Sequence, residues 1–361
     1  MRDIRNVNDL GGKTVLMRAD FDVPVDRNGH ITEEFRIIRQ REAIHWLIGQ
    51  GARVVLVAHI SAVDSFEPLL QQLKRLLGVE LVFARTLEDA KSFAHGTGSV
   101  MLLDNIRRWP EEEQNDAAFA SELANGFDVY VNNAFAVSHR EHASVAAVAF
   151  MVPSYAGPLV IEEVARLREA VDAPAGGKVL IMGGAKASTK VPVIRHLVER
   201  SDAVLVGGIL AIDVMKVRGE DIGASRFDDD AKELLGALNL EDPRLHVAED
   251  SVIEDGVILD IGPRTVESFN ALISKASYII WNGPMGKFEE EPFGVGTRAV
   301  AEAIVNSGAF ALIGGGDTIA AVHSYGLLER FGHVCTGGGA MLAYLAGQPL
   351  PGLSPLESRS S

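Results

Sequence analysis

Apolar residues follow two rhythms along the chain. Short unbroken runs such as TVLMRA (14–19), RVVLVAH (53–59), SVMLL (99–103), FDVYVN (127–132), KVLIMG (178–183), AVLVGG (203–208), YIIWNG (278–283) and FALIGG (310–315) leave little polar surface to face water. Between several of them, stretches such as RQREAIHWLIGQ (39–50) and PLLQQLKRLLG (68–78) repeat apolar residues three and four apart. The short runs predict strands buried on both faces, and the spaced stretches predict amphipathic helices. Their alternation predicts an α/β fold whose parallel sheets carry helices on both sides. So many strands exceed one sheet of ordinary size, so two doubly wound, Rossmann-like domains are expected. A boundary is predicted near MVPSYAGPLVIEEVARLREAV (151–171), where a Pro/Gly turn leads into a helix.

Length and composition narrow the picture. At 361 residues the chain exceeds the size at which one core usually stops growing, which again favours two domains. The formal charge of −15 disfavours nucleic acid and anionic membrane as partners, though not a small anion in a local basic pocket. The single cysteine, Cys335, allows no internal disulfide, and no zinc spacing is present. The oily region from Ala143 to Ile161 is broken by Pro153, Gly157 and Pro158, so no membrane span is expected, and MRDIRNVNDL has no apolar signal core. A cytoplasmic protein is the expectation.

The chemistry-bearing residues gather at the ends of the predicted strands, where open α/β sheets place their ligands. In VLMRADFDVPVD, Arg18, Asp20 and Asp22 share one face of a strand just before Pro24. An isolated R-x-D-x-D is as often a solvated strand face, so position is what points to function. His59 ends the second strand; Arg107 and Arg108 follow a third, and His139, Arg140 and His142 a fourth. Arginine forks fit carboxylate and phosphate. The His139/His142 spacing lacks the helical H-E-x-x-H pattern, so no metal is predicted there. In the second half glycine clusters take over: IMGGAKASTK, LVGG, WNGPMGKFEEE, IGGGDTIAAV and CTGGGAML. Neither the dinucleotide fingerprint nor the P-loop pattern occurs. Several such clusters, with Lys186, Lys190 and Asp317, predict a polyphosphate cradle with Mg²⁺.

In order along the chain stand R-A-D-F-D-V-P from Arg18, N-A-F-x-x-x-H-R-x-H-A-S from Asn133 and G-G-A-K-x-S-x-K from Gly183. W-N-G-P-M-G-x-F-E from Trp281, G-G-G-D-T from Gly314 and T-G-G-G-A from Thr336 follow. Together with D-I-G-P at Asp260 and L-P-G-L at Leu350, this set resembles the phosphoglycerate kinase family over nearly the whole chain. The resemblance implies an N-terminal acid-binding domain (1–155), an interdomain helix (156–172) acting as a hinge and a nucleotide-binding domain (173–341). The tail 342–361 would pack on the first domain. It implies reversible phosphoryl transfer between ATP and the carboxylate of 3-phosphoglycerate, with Mg²⁺, by a monomer. A carboxylate of pKa ~4 is already ionised, so the obstacle is the meeting of two anions rather than proton removal.

Carried over residue by residue, Arg36, Lys186, Gly315 and Gly316 would neutralise the moving phosphoryl group. Arg18, Asp20, Asp22, His59, Arg107, Arg108 and Arg140 would surround the acid. Gly184, Lys186, Lys190, Gly207, Gly208, Asn282, Pro284, Glu289, Gly314, Gly315, Gly316, Asp317 and Thr318 would hold the nucleotide, with Asp317 on the metal.

Three departures stand out. The family's His-Leu-Gly-Arg-Pro reads His59-Ile60-Ser61-Ala62-Val63 in this chain, so a phosphate-binding arginine is absent and the following loop is short. A lost charge-assisted contact costs ~1.5–3 kcal/mol, and Arg108 is the candidate to replace it. Asp22 stands for the family's asparagine and Asn133 for its usual aspartate, which reads as a rebuilt acid pocket. Ile209 and Ile258 replace glycines of the adenine slot, which leaves the base preference open. Two alternatives accompany the reading: a kinase for a related small anionic hydroxy acid, such as a phosphonate analogue, and a non-catalytic nucleotide-binding relative. The retained lysines and Asp317 speak against the second.

Overall fold

All eight predicted strands form, and six further strands join them. The computed structural model describes residues 1–93 and 99–357. The chain divides into two units, residues 1–164 with 349–361, and residues 165–348.

The first unit is built on a six-stranded sheet of β1 (Thr14–Arg18), β2 (Arg53–Val57), β3 (Val82–Ala84), β4 (Val100–Leu103), β5 (Val129–Asn132) and β6 (Ser154–Ala156), in the order β3-β4-β2-β1-β5-β6. All pairs are parallel; Leu16 of β1 lies between Val55 and Tyr130. β1 is buried at every position, as its unbroken apolar run requires. The helices Arg41–Gly49 and Leu70–Leu77 lay Ile44, Leu47, Leu73 and Leu77 on the sheet core with Val54 and Leu56. Gly78, in the left-handed region, ends the second of these helices.

The second unit repeats the plan with β7 (Lys178–Met182), β8 (Ala203–Val206), β9 (Leu245–Val247), β12 (Tyr278–Asn282), β13 (Phe310–Gly314) and β14 (His333–Val334), in the order β14-β13-β12-β7-β8-β9, again all parallel. The antiparallel hairpin of β10 (Ser251–Glu254) and β11 (Val257–Ile261) stands apart from that sheet. Trp281, Phe269, Ile279 and Ile313 centre its core. Among the described residues, no helix is long and apolar enough to cross a membrane.

Two expectations need adjustment. Residues 342–348 belong to the second unit rather than to the returning tail, because the helix Gly338–Leu345 packs on the helix Ala187–Leu197 and Gly347 lies against His196. From Pro349 the tail does pack on the first unit: Gly352 N–H donates to Ser138 O at 2.9 Å, and Arg2 N–H to Leu356 O at 2.8 Å. Asn133, read as an edit of the acid pocket, is fully buried and internally spent. Its Oδ1 accepts from Leu159 N–H at 3.1 Å, in the first turn of the helix Pro158–Asp172, and its Nδ2 donates to Gln40 Oε1 at 2.9 Å. It caps a helix, since that turn has amide groups with no intrahelical partner.

Candidate functional site

The acid-binding candidates of the first unit converge at the carboxyl ends of β1, β2, β4 and β5. Arg18 closes β1 and is only 1% exposed. Its Nε donates to Ser144 Oγ at 2.8 Å, its Nη1 to Ala19 O at 2.5 Å, and its Nη2 meets His59 Nδ1 at 3.1 Å. Arg18 therefore stands behind His59 and orients it. A guanidinium can only donate, so His59 Nδ1 accepts and the ring proton sits on Nε2. That nitrogen lies 3.4 Å from Asp22 Oδ2. Burial, with Arg18 adding to it, brings the His59 pKa down to about 4 against the pull of Asp22. At neutral pH the imidazole is uncharged, with both nitrogens engaged.

Asp22 is a half-buried anion of the cluster, its side chain 31% accessible. Its Oδ1 accepts from Ser61 N–H at 2.8 Å, and its carbonyl from Arg36 Nη1 at 2.9 Å. Burial works to raise its pKa, but the His59 and Ser61 hydrogen bonds outweigh that and hold it well below the usual carboxylate range. Asp20 is fully buried; its Oδ1 takes Asp22 N–H at 3.2 Å, and Arg36 Nε lies 3.9 Å from its Oδ2. Burial pushes the Asp20 pKa up, with Arg36 opposing.

Arg107 leaves β4 on a single tight turn, Ile106–Arg108. Its Nη1 donates to Ser61 Oγ at 2.9 Å and its Nε lies 3.2 Å from Glu113, while Nη2 is buried with no hydrogen-bond partner among the described residues. Burial and the charge of Arg140 both weaken its hold on its proton. Two guanidiniums gathered with a donor unspent favour an anion. The same charges, after burial, bring His142 down to about 4, and burial with Arg140 lowers His139.

Arg108 does not join this group. It donates to Asp104, the buried carboxylate that also accepts from Ser65 Oγ and Phe66 N–H, and it borders a surface groove with Trp109 and Phe119. On so tight a turn consecutive side chains point apart, so the substitute for the missing arginine is not Arg108. The shortened loop is instead pinned: Asn105 Nδ2 donates to Ile60 O at 2.9 Å and to Val63 O at 2.7 Å. Ser61 then bridges Asp22 and Arg107. Sequence reading passed over Ser61 and the buried pair Ser144–Glu112, because a serine's role shows only in its partners.

In the second unit the glycine clusters frame a cavity of about 430 Å³, within the range of small-molecule sites. Its walls include Ile209, Ile212, Met215 and Ile258, with Asp317, Lys287, Glu289 and Arg226 also lining it. The two isoleucines are thus apolar walls of an open slot. Gly184, Gly208, Pro284, Glu289 and Asp317 line it as anticipated, whereas Met215 and Arg226 went unanticipated. Gly208 has φ +59°, and a Cβ there would stand 2.4 Å from Gly184 N, so only glycine lets these two loops meet.

The other nucleotide candidates lie outside the cavity wall. Asn282 Nδ2 donates to Gly314 O at 2.7 Å, and Thr318 Oγ1 accepts from Gly283 N–H at 2.7 Å, which ties the ends of β12 and β13 together. Gly207 packs on Met285. Gly315, at φ +103°, turns the chain into the helix Gly316–Ser324, whose first turn carries Asp317. Lys186, also left-handed, precedes the helix Ala187–Leu197. Lys190, one turn on, is mostly buried and donates to Ala185 O. Burial, with Lys186 beside it, brings its pKa to about 8 despite Asp317 and Asp228.

Comparison with known proteins agrees with this geometry. The family profile for phosphoglycerate kinase matches residues 4–348. Phosphoglycerate kinase of Rubrobacter xylanophilus is 40% identical, with 99% of each chain covered. That of Herpetosiphon aurantiacus is 38% identical, over 96% of this chain and 97% of the relative. Among solved structures, phosphoglycerate kinase from Pyrococcus horikoshii superposes with a TM-score of 0.86 at 30% identity, covering 99% of this chain and 98% of that one. The Coxiella burnetii enzyme gives 0.82 at 32%, covering 99% of both. Motif order, sheet topology and overall likeness agree: the chain is a member of the phosphoglycerate kinase family.

Proposed function

We propose that the protein is a carboxylate kinase, transferring the terminal phosphoryl group of ATP, reversibly, to the carboxylate of 3-phosphoglycerate to give an acyl phosphate. The observation that carries this reading is a basic acid-binding cluster in which His59 and Asp22, at its centre, are committed to each other and to their neighbours rather than free to take a proton. His59 spends Nδ1 on Arg18 and its Nε2 proton on Asp22, and the Asp22 oxygens are engaged by His59 and Ser61. A hydroxyl acceptor would need a base, whereas a carboxylate arrives ionised and needs only neutralisation. Arg107, with its unspent Nη2, Arg140 and Arg36 supply cationic donors for the acid's charges.

On the second unit, the apolar slot takes the base and Glu289 the ribose. Lys190 and the helix that opens at Gly316 meet the phosphates. Lys186, with the amides of Gly315 and Gly316, offsets charge on the phosphoryl group in flight. Among the described residues no three His, Cys, Asp or Glu side chains are grouped to hold a metal alone. Asp317, a single carboxylate in the first turn of the helix Gly316–Ser324 and on the cavity wall, fits Mg²⁺, which characteristically takes one or two carboxylates and completes its shell with phosphate oxygens and water. Asp317 would hold it, and the ion would supply charge neutralisation on the phosphates.

The test is trapping with hydroxylamine in the presence of ATP, Mg²⁺ and 3-phosphoglycerate. Hydroxamate formation that depends on all three is expected, and its absence at millimolar acid would overturn the reading for this acid. A second reading, a related small acid as the acceptor, is favoured by Ala62 standing where the family has its arginine, while Arg108 is turned to Asp104.

A further inference from the structure

Within the carboxylate-kinase reading, on which this inference rests, the acid pocket carries one group that none of the roles above explains: the ionised Asp22. Its neighbours Asp20 and Glu112 are fully buried, and burial pushes the pKa of both upward. Of the three only Asp22 reaches solvent, and the Ser61 amide and the His59 Nε2 proton are both directed at its oxygens, which favours its ionised form. Those two donors are the ones a ligand at this corner would otherwise use. Ser61 is bound in turn to Arg107 Nη1. The loop that carries it is pinned by Asn105 at Ile60 and Val63, so the arrangement is rigid. The pocket thus contains its own carboxylate counter-ion, built into β1's exit and held by the loop after β2.

We propose that Asp22 is a specificity-determining residue. It fills the His59–Ser61 corner with a fixed negative charge and narrows the margin by which the site prefers acids that present a phosphate or phosphonate there over acids that present an uncharged hydrogen-bond donor, such as a hydroxyl.

The physical basis is simple. A dianionic group at this corner would meet a like charge within a few ångströms and would find both donors occupied. A hydroxyl donates to Asp22 and leaves the His59 and Ser61 bonds intact. The missing arginine acts in the same direction, since Ala62 offers no compensating charge. Asp22 thereby weakens the site for polyanionic acids without removing Arg36, Arg107 or Arg140, which still serve the carboxylate.

The experiment compares wild type, Asp22→Asn and Ala62→Arg with two acids that differ only at the far end, 3-phosphoglycerate and glycerate. Binding of each acid is measured by calorimetry, and turnover by hydroxylamine trapping with ATP and Mg²⁺. Expected is at least a tenfold rise in the 3-phosphoglycerate-to-glycerate preference on Asp22→Asn, read in both Kd and KM. Ala62→Arg should shift the preference the same way. An unchanged or reversed preference in Asp22→Asn, with the variant folded by circular dichroism, overturns the proposal. If no acid gives hydroxamate with any variant, the carboxylate-kinase reading falls, and the calorimetric preference still decides the role of Asp22.

Discussion

Ser144 offers the sharpest test of how the acid pocket is held. Its hydroxyl accepts from Arg18 Nε at 2.8 Å and donates to Glu112 Oε1 at 2.6 Å, while its amide donates to Glu112 Oε2 at 2.7 Å. All three residues are at most 1% exposed. The hydroxyl is the link between a buried cation and a buried anion. Ser144→Ala removes two hydrogen bonds to charged groups, each worth ~1.5–3 kcal/mol, and leaves Arg18 Nε and Glu112 Oε1 short of a partner. Since Arg18 keeps three other contacts and Glu112 keeps the amide, a loss of about 3 kcal/mol is expected at neutral pH.

The loss should depend on pH in a definite direction. Burial raises the Glu112 pKa above its ordinary value, so the stability tied to its protonated form is present at low pH and lost as pH rises through the folded value. Removing the hydroxyl raises that value further. The penalty of Ser144→Ala therefore grows as pH rises above the ordinary glutamate value. Urea unfolding in a Trp281→Phe background isolates the first unit, because Trp46 and Trp109 then report alone. In a double-mutant cycle, Glu112→Gln should absorb about half of the Ser144→Ala effect. A loss below about 0.5 kcal/mol, the size of an ordinary surface change, or one that shrinks with rising pH, would refute the linkage described.

Three further outcomes follow from the geometry. Arg108→Ala should lower the stability of the first unit by about 1–2 kcal/mol, because Asp104 loses its cation, while the KM for the acid changes less than twofold; a large KM increase by steady-state kinetics would put Arg108 back in the pocket. Asp213 is fully buried with Oδ2 unpartnered among the described residues, and burial, with Asp228 and Asp230 nearby, lifts its pKa to about 6. The cost of a carboxyl raised from 3.8 to about 6 accumulates across that range and is complete above it, so Asp213→Asn should stabilise the fold by up to about 3 kcal/mol at pH 8, read as a higher Tm, and by well under half of that near pH 4.5; an equal gain at both would contradict this. Lys190, brought down to about 8, carries its charge only below that pH in the free protein. The KM for ATP should therefore rise severalfold between pH 7 and 9, and Lys190→Arg should flatten that rise.

What the sequence made legible follows from how each feature is encoded. The long β-branched runs announced their strands because burial on both faces leaves a continuous apolar signature. β3, β6, β9 and β14, two or three residues each, are too short to carry a period, and the β10–β11 hairpin is only partly buried. The site followed the same logic. Charged residues and glycine clusters at strand ends were visible because residue type and strand position together imply a ligand. What one residue does for another was not visible. That Arg18 is buried and supports His59 could not be read from its type, and Asn133 looked like a pocket edit but caps a helix.

The short loop after His59 shows why such reversals arise. Read along the chain, Ile60-Ser61-Ala62-Val63 registers as a deletion, the loss of an arginine and little else. In space the same residues form a closed set of contacts, because Asn105 receives the loop's carbonyls and Ser61 places its amide on Asp22 and its hydroxyl against Arg107. Asp22 and the shortened loop are therefore one change. An aspartate facing that pocket without the Ser61 amide would stand beside a neutral His59 as a poorly compensated anion, and the loop without the aspartate would leave that amide exposed. Because the two share a hydrogen bond, Asp22→Asn and Ser61→Pro, which removes the amide donor, should be non-additive in their effect on acid affinity. A double-mutant cycle on Kd that closes to zero coupling would show instead that the two departures are independent.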